Sequence, residues 1–179
     1  MTRRFSVAFL ALLMLLFLSA ACALPWNAAP VVKVGVIAPF EGAGRPLGYA
    51  VLPAIKSAVA DANASGELAG YRVAVVALDD SLDPALAAQQ ARALSLDPDV
   101  LAVIGPFTEA RAELVEAVLA AAAVPNMPVI ATGPAGGDYS VEMAAAREAA
   151  NQVLRALARD IAGAGRPSRS GLSAELASP

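Results

Sequence analysis

Val100–Arg111, Val-Leu-Ala-Val-Ile-Gly-Pro-Phe-Thr-Glu-Ala-Arg, is the stretch on which the fold turns. Its five leading apolar residues are too few for a helix and stop at Gly105-Pro106. A helical pattern then begins near Thr108. The stretch reads as a buried parallel strand, a tight loop and a helix N-terminus. In open α/β sheets ligands bind at such junctions, because strand ends, loop backbone and helix N–H groups converge there. A plain strand-to-helix turn has the same pattern, so the flanking sequence has to decide.

Upstream, Val31–Ala38 is a β-branched, nearly continuous apolar run, the mark of a strand covered on both faces. After the Pro39–Pro46 loop a helix starts near Leu47, with Leu52, Ile55, Val59 and Ala62 along one face. Pro53 requires that helix to start late or to kink. Tyr71–Leu78 is a second strand closed by Asp79-Asp80-Ser81. Asp83-Pro84 starts a helix that ends at Leu96, before Asp97-Pro98. Downstream, a helix over Thr108–Ala123 is expected to bury Ala110, Leu114, Ala117, Val118 and Ala121. Val129–Ala131 is a short fourth strand, and Thr132–Gly137 a glycine-rich loop. From Ser140 a last helix keeps Ala146, Ala150, Val153, Leu157 and Ile161 on one face, with Arg147, Arg155, Arg159 and Asp160 elsewhere. Arg166–Pro179 reads as a loose tail, with at most one turn near Leu172–Leu176. Strands and helices alternate throughout. The expected fold is α/β: a doubly wound parallel sheet of about four strands in the order 2-1-3-4, forming one lobe over residues 31–165.

Residues 1–22 read as an export signal: Arg3-Arg4, the apolar run Phe5–Leu18, then Ser19-Ala20-Ala21-Cys22. The alternative is a retained membrane anchor. The sole cysteine, Cys22, stands where lipidation would make it the first mature residue, although Ser19 replaces the usual aliphatic residue. A cut after Ala23 is the other option. Residues 23–30 form a short tether. The 179-residue chain has no His, which removes the commonest general base and metal ligand. One Cys excludes an internal disulfide or a multi-Cys metal site. The net charge is −3 and no long basic run is present, so nucleic acid is not an expected partner.

Lys33–Pro39, Gly48, Asp61–Gly66, Leu78–Pro84, Ala102–Pro106 and Pro128–Ala131 fall in an order and spacing that resembles one family. Val31–Ala135 is similar to the amino-terminal lobe of leucine/isoleucine/valine-type periplasmic binding proteins, the solute receptors of branched-chain amino acid ABC transporters. The resemblance implies a type I binding-protein lobe, an ABC permease as partner and a lipid anchor to the membrane. It implies neither cofactor nor catalysis. Three features depart from the family. The receptors have a second lobe that closes over the ligand, for which this chain has no room. Their amino-acid-binding members place small hydroxyl residues after the third and fourth strands, where this chain has Thr108-Glu109 and Thr132–Ala135. Ala145–Leu176 is similar to the late helix that follows the second lobe, as though the middle had been removed.

The resemblance and the strand-end rule together put a ligand site at Phe40, Thr108, Glu109, Thr132 and Ala135. Glu109 would repel a ligand carboxylate and favour an amine or amide; it also suits a helix N-terminus on its own account. Phe40 and Phe107 either clasp an apolar ligand or plug the mouth of the sheet. Asp79-Asp80 lacks a third ligand for a metal and reads as a turn and cap. Without His or a Gly-x-Ser-x-Gly elbow, hydrolase chemistry is not expected. The expected protein is an exported, lipid-anchored solute-binding lobe for a small amino acid or amide-like ligand. The alternatives are an exported sensor or interaction domain that lost transport binding, or a shortened remnant.

Overall fold

The computed structural model describes residues 29–131 and 138–178. Strand β1 (Val31–Ala38) lies between β2 (Arg72–Asp79) and β3 (Val100–Ile104), and β4 (Asn126–Met127) flanks β3. All pairings are parallel and the order is β2-β1-β3-β4, as expected from the alternating pattern. The five residues of β3 are all buried, which suits an interior strand made wholly of apolar side chains. Helices α1 (Arg45–Ser65), α2 (Pro84–Leu96), α3 (Glu109–Ala121), α4 (Ser140–Ala164) and α5 (Arg169–Ala177) complete the described chain.

The strands' period of two sends alternate side chains into two cores. Val34 and Val36 pack with Val51 and Ile55 of α1 and with Val153 and Leu157 of α4. Ile37 and Val103 pack on the other face with Ala91 and Leu94 of α2 and Val115 and Leu119 of α3. Gly35 is bare so that α2 can come close: a Cβ there would stand 2.7 Å from the Leu94 side chain.

Hydrogen bonds finish the edge and base of the sheet. On the free edge of β2, the Asn63 amide accepts from the Val73 N–H (2.8 Å) and donates to the Val73 carbonyl (2.9 Å), imitating a neighbouring strand. At the base, Lys33 is paired with Asp97 at 2.8 Å and Asp99 at 3.3 Å.

Several expectations need correction. The apolar face of α3 is Arg111, Val115 and Leu119; Ala110, Ala117 and Ala121 are exposed and Leu114 is 48% exposed. Alanines all around that helix blur its periodicity, and the true face begins with a buried arginine. The fourth strand is Asn126–Met127, upstream of the expected Val129–Ala131. The chain nevertheless continues beside the loop after β3, with Val129 N–H donating to Pro106 O and Ala131 N–H to Phe107 O. Helix α1 runs through Pro53 because the proline is exposed, and the carbonyl it leaves without a helix donor belongs to the exposed Tyr49. Asp160 is buried and accepts from the Ser168 N–H at 2.7 Å. The lobe does not end at residue 165: α5 docks through fully buried Leu172, and Arg169 donates to the carbonyls of Val100, Ser95 and Asp97. The tail's polar composition conceals this, because its attachment is made mainly by hydrogen bonds to backbone.

Candidate functional site

The carboxyl ends of β1 and β3 open side by side. Gly105 turns the chain out of β3 with φ +101°, and a Cβ there would stand 2.4 Å from the Ile37 carbonyl oxygen. Only glycine suits both demands. Its bond to Pro106 is cis. Phe107 then turns inward and is fully buried, so it plugs the mouth of the sheet and is closed to a ligand. Thr108 is the extended N-cap residue of α3, and its side chain makes no capping bond. It is half-buried, while Glu109 in the first helical turn is exposed.

The loop after β1 is held from β2. Asp79 accepts from the N–H groups of Phe40 (2.6 Å) and Glu41 (3.1 Å), from the Ser81 N–H (3.1 Å) and from the Ser81 hydroxyl. This is the turn role expected for Asp79. Burial alone would raise its pKa, but those hydrogen bonds outweigh burial and hold the carboxyl below its ordinary range. The fixed loop puts the half-buried Phe40 ring edge-on to Tyr49, centroids 6.3 Å apart, and Arg45 stands 5.0 Å over the Tyr49 ring. Gly48 makes this close approach feasible, since a Cβ there would lie 2.1 Å from the Pro39 oxygen.

Beneath this surface lies a pair that sequence reasoning missed. Asp80 and Arg111 are 0% and 2% exposed, with Arg111 Nε 3.3 Å from Asp80 Oδ2. Asp80 also accepts from the Leu82 N–H at 3.0 Å. Burial pushes the Asp80 carboxyl up, only partly offset by the Leu82 bond and Arg111, and lowers the Arg111 value. The pair ties the loop after β2 to the first turn of α3, and so sets where Thr108 and Glu109 stand. An adjacent Asp-Asp gives no sign of which carboxylate turns inward.

The structure thus brings Phe40, Thr108 and Glu109 to the same end of the sheet, and Ala131 leads toward the remaining loop. Thr132, Ala135 and Cys22 lie outside the described residues. Among the described residues no group of three or more His, Cys, Asp or Glu side chains is placed to hold a metal. No described helix is long and apolar enough to cross a membrane.

A four-stranded parallel sheet with helices on both faces is a doubly wound α/β lobe, and in such sheets ligands bind at the open carboxyl end. A family model for periplasmic binding proteins matches residues 31–172, and the chain belongs to that family. A comparison with curated proteins finds no match. Among solved structures, the chain is similar to a branched-chain amino acid transporter substrate-binding protein of Streptococcus pneumoniae, solved in complex with isoleucine. That match has 29% identity and a TM-score of 0.53 over 57% of this chain and 30% of the other. It is also similar to a leucine-binding protein of Thermotoga maritima, with 28% identity and a TM-score of 0.51 over 57% and 29% of the two chains. A third similar structure is a solute-binding protein of R. palustris, in complex with 4-hydroxybenzoate, at 27% identity and a TM-score of 0.50 over 57% and 28% of the two chains. The chain therefore spans less than a third of each of these proteins.

Proposed function

We propose that this chain is the capturing lobe of an exported solute-binding protein that serves an ABC permease, with no catalytic role. Export through residues 1–22 and lipid attachment at Cys22 would hold it at the membrane surface. Its ligand is a small amine or amide that lies against Phe40, Thr108, Glu109, Thr132 and Ala135. The observation that carries this reading is the pairing, at the carboxyl end of β3, of an uncommitted Thr108 hydroxyl with the exposed Glu109 carboxylate. A carboxylate there attracts an ammonium or an amide N–H and repels a second carboxylate. A single lobe covers one side of a ligand only, so binding should be weak until a second wall closes over it.

Calorimetric titration of the chain with leucinamide, leucine and isocaproate separates the charges. Leucinamide carries only the amine, leucine both groups, and isocaproate only the carboxylate. The expected order of affinity is leucinamide, then leucine, then isocaproate. Glu109→Ala should weaken leucinamide several-fold, in keeping with the modest worth of a solvent-exposed charge pair. If the order is reversed, or if the substitution leaves leucinamide binding unchanged, this site does not select an amine.

A further inference from the structure

Residues 79–82, which lead from β2 to α2, touch both walls of the candidate site. Asp79 accepts from the Phe40 and Glu41 N–H groups and so holds the loop after β1. Its neighbour Asp80 faces Arg111 in the first turn of α3, with Oδ2 3.3 Å from Nε. The alternation of a strand end sends the two carboxylates opposite ways. Leu82 makes a third contact. Its side chain lies against the loop after β1 at Gly44, where a Cβ would stand 2.8 Å from Leu82 Cγ and 2.6 Å from Pro39 Cβ. Gly44 is thus the seat that admits Leu82. One short loop therefore grips the Phe40 wall twice and the wall of Thr108 and Glu109 once.

The backbone between these contacts is bent into an uncommon shape. Ser81 and Leu82 both have positive φ, 46° and 61°. A residue with a bulky side chain rarely adopts that region, and keeps it only where surrounding contacts hold it. Here they do. The Ser81 N–H and hydroxyl donate to Asp79, the Leu82 N–H donates to Asp80 Oδ1 at 3.0 Å, and the Asp83 N–H donates to the Asp80 carbonyl at 2.7 Å. The two carboxylates that hold the walls thus also hold the strained turn. Neither can give way at its wall without loosening the turn, and the turn cannot relax without freeing both.

We propose that residues 79–82 are a strained clip that locks the two walls to each other, so that a shift of one is passed to the other. Asp79, Asp80 and Leu82 are then positioning residues, and the coupling runs equally in both directions. The proposal concerns the frame of the site and holds whatever the ligand is. Hydrogen exchange followed by NMR tests it, on the full chain in mild detergent without ligand. The reporters are the Phe40 and Glu41 N–H groups on one wall and, on the other, the Arg111 N–H, which donates to the Thr108 carbonyl. The reference is the unsubstituted chain brought to each variant's global stability with urea, so that general unfolding does not count. Asp79→Asn should speed exchange at Arg111 about tenfold, the scale of one lost hydrogen bond to a charged group. Asp80→Leu combined with Arg111→Met should do the same at Phe40 and Glu41. Leu82→Gly, whose backbone suits the positive φ, keeps both carboxylates and should loosen both walls at once; it also serves if the double variant does not fold. Exchange at the far wall that stays at the reference rate in any folded variant would overturn the proposal.

Discussion

Asp80 and Arg111 carry opposite charges where neither meets water. Deleting one partner leaves the other charged, buried and uncompensated. Asp80→Ala is therefore expected to cost about 3–5 kcal/mol of folding stability, read from urea unfolding. Asp80→Leu combined with Arg111→Met should recover most of that loss, because an apolar pair needs no compensation. A double variant as unstable as the single one would mean that the pair's shape, and not its charge balance, is what matters. The neighbouring Asp79 responds to pH in the usual direction for a carboxylate held by donors. Its folded pKa lies below its unfolded value, so its contribution is complete above about pH 4 and is lost as pH falls through the lower folded value. The stability gap between the native chain and Asp79→Asn should accordingly be widest near neutrality and close in strong acid. A gap that stays constant with pH would show that Asp79 acts by shape alone. Sequence identified Asp79 as a turn residue through its residue type. It could not reveal that Asp80 faces inward, because its partner lies 31 positions away on another element.

Whole elements were legible where apolar pattern and chain punctuation agreed. The strands Val31–Ala38 and Val100–Ile104 and the buried stripe of α4 follow from patterns that only one secondary structure satisfies. The α3 face was not legible, because alanine is at home on either side of a helix and Arg111 is an unlikely marker of a core. Docking of α5 was hidden too, since Arg169 grips three carbonyls, and backbone acceptors leave no trace in a sequence. The stripe of α4 gives a direct test. Val153, Leu157 and Ile161 are 1%, 1% and 3% exposed, and burying a large aliphatic side chain contributes about 1.5–3 kcal/mol. Leu157→Asp adds the cost of an unpaired buried carboxylate to that loss, so the melting temperature should fall steeply or the chain should fail to fold. An unmoved melting temperature would show α4 to be undocked in solution.

At the scale of the molecule, the sheet has two free edges among the described strands, and the β2 edge is occupied at one point by Asn63. Asn63→Ala would leave the Val73 N–H and carbonyl without partners. The expected cost is about 1–3 kcal/mol, with association on storage visible by light scattering, because an open edge invites another strand. A variant that loses stability yet stays monodisperse would limit Asn63 to a purely local role. The two faces of the sheet also differ in when they can be covered. Helices α2 and α3 follow directly on β2 and β3, so their face closes as the chain grows. The other face needs α4 beside α1, and α4 begins at Ser140 while α1 ends at Ser65. At a synthesis rate of about 5–20 residues per second, that face waits roughly 4–15 s with Val34, Val36 and Ile55 uncovered. Throughout that interval the growing chain is a natural client for any factor that shields apolar surface, and its earliest helix is among the last to find its place.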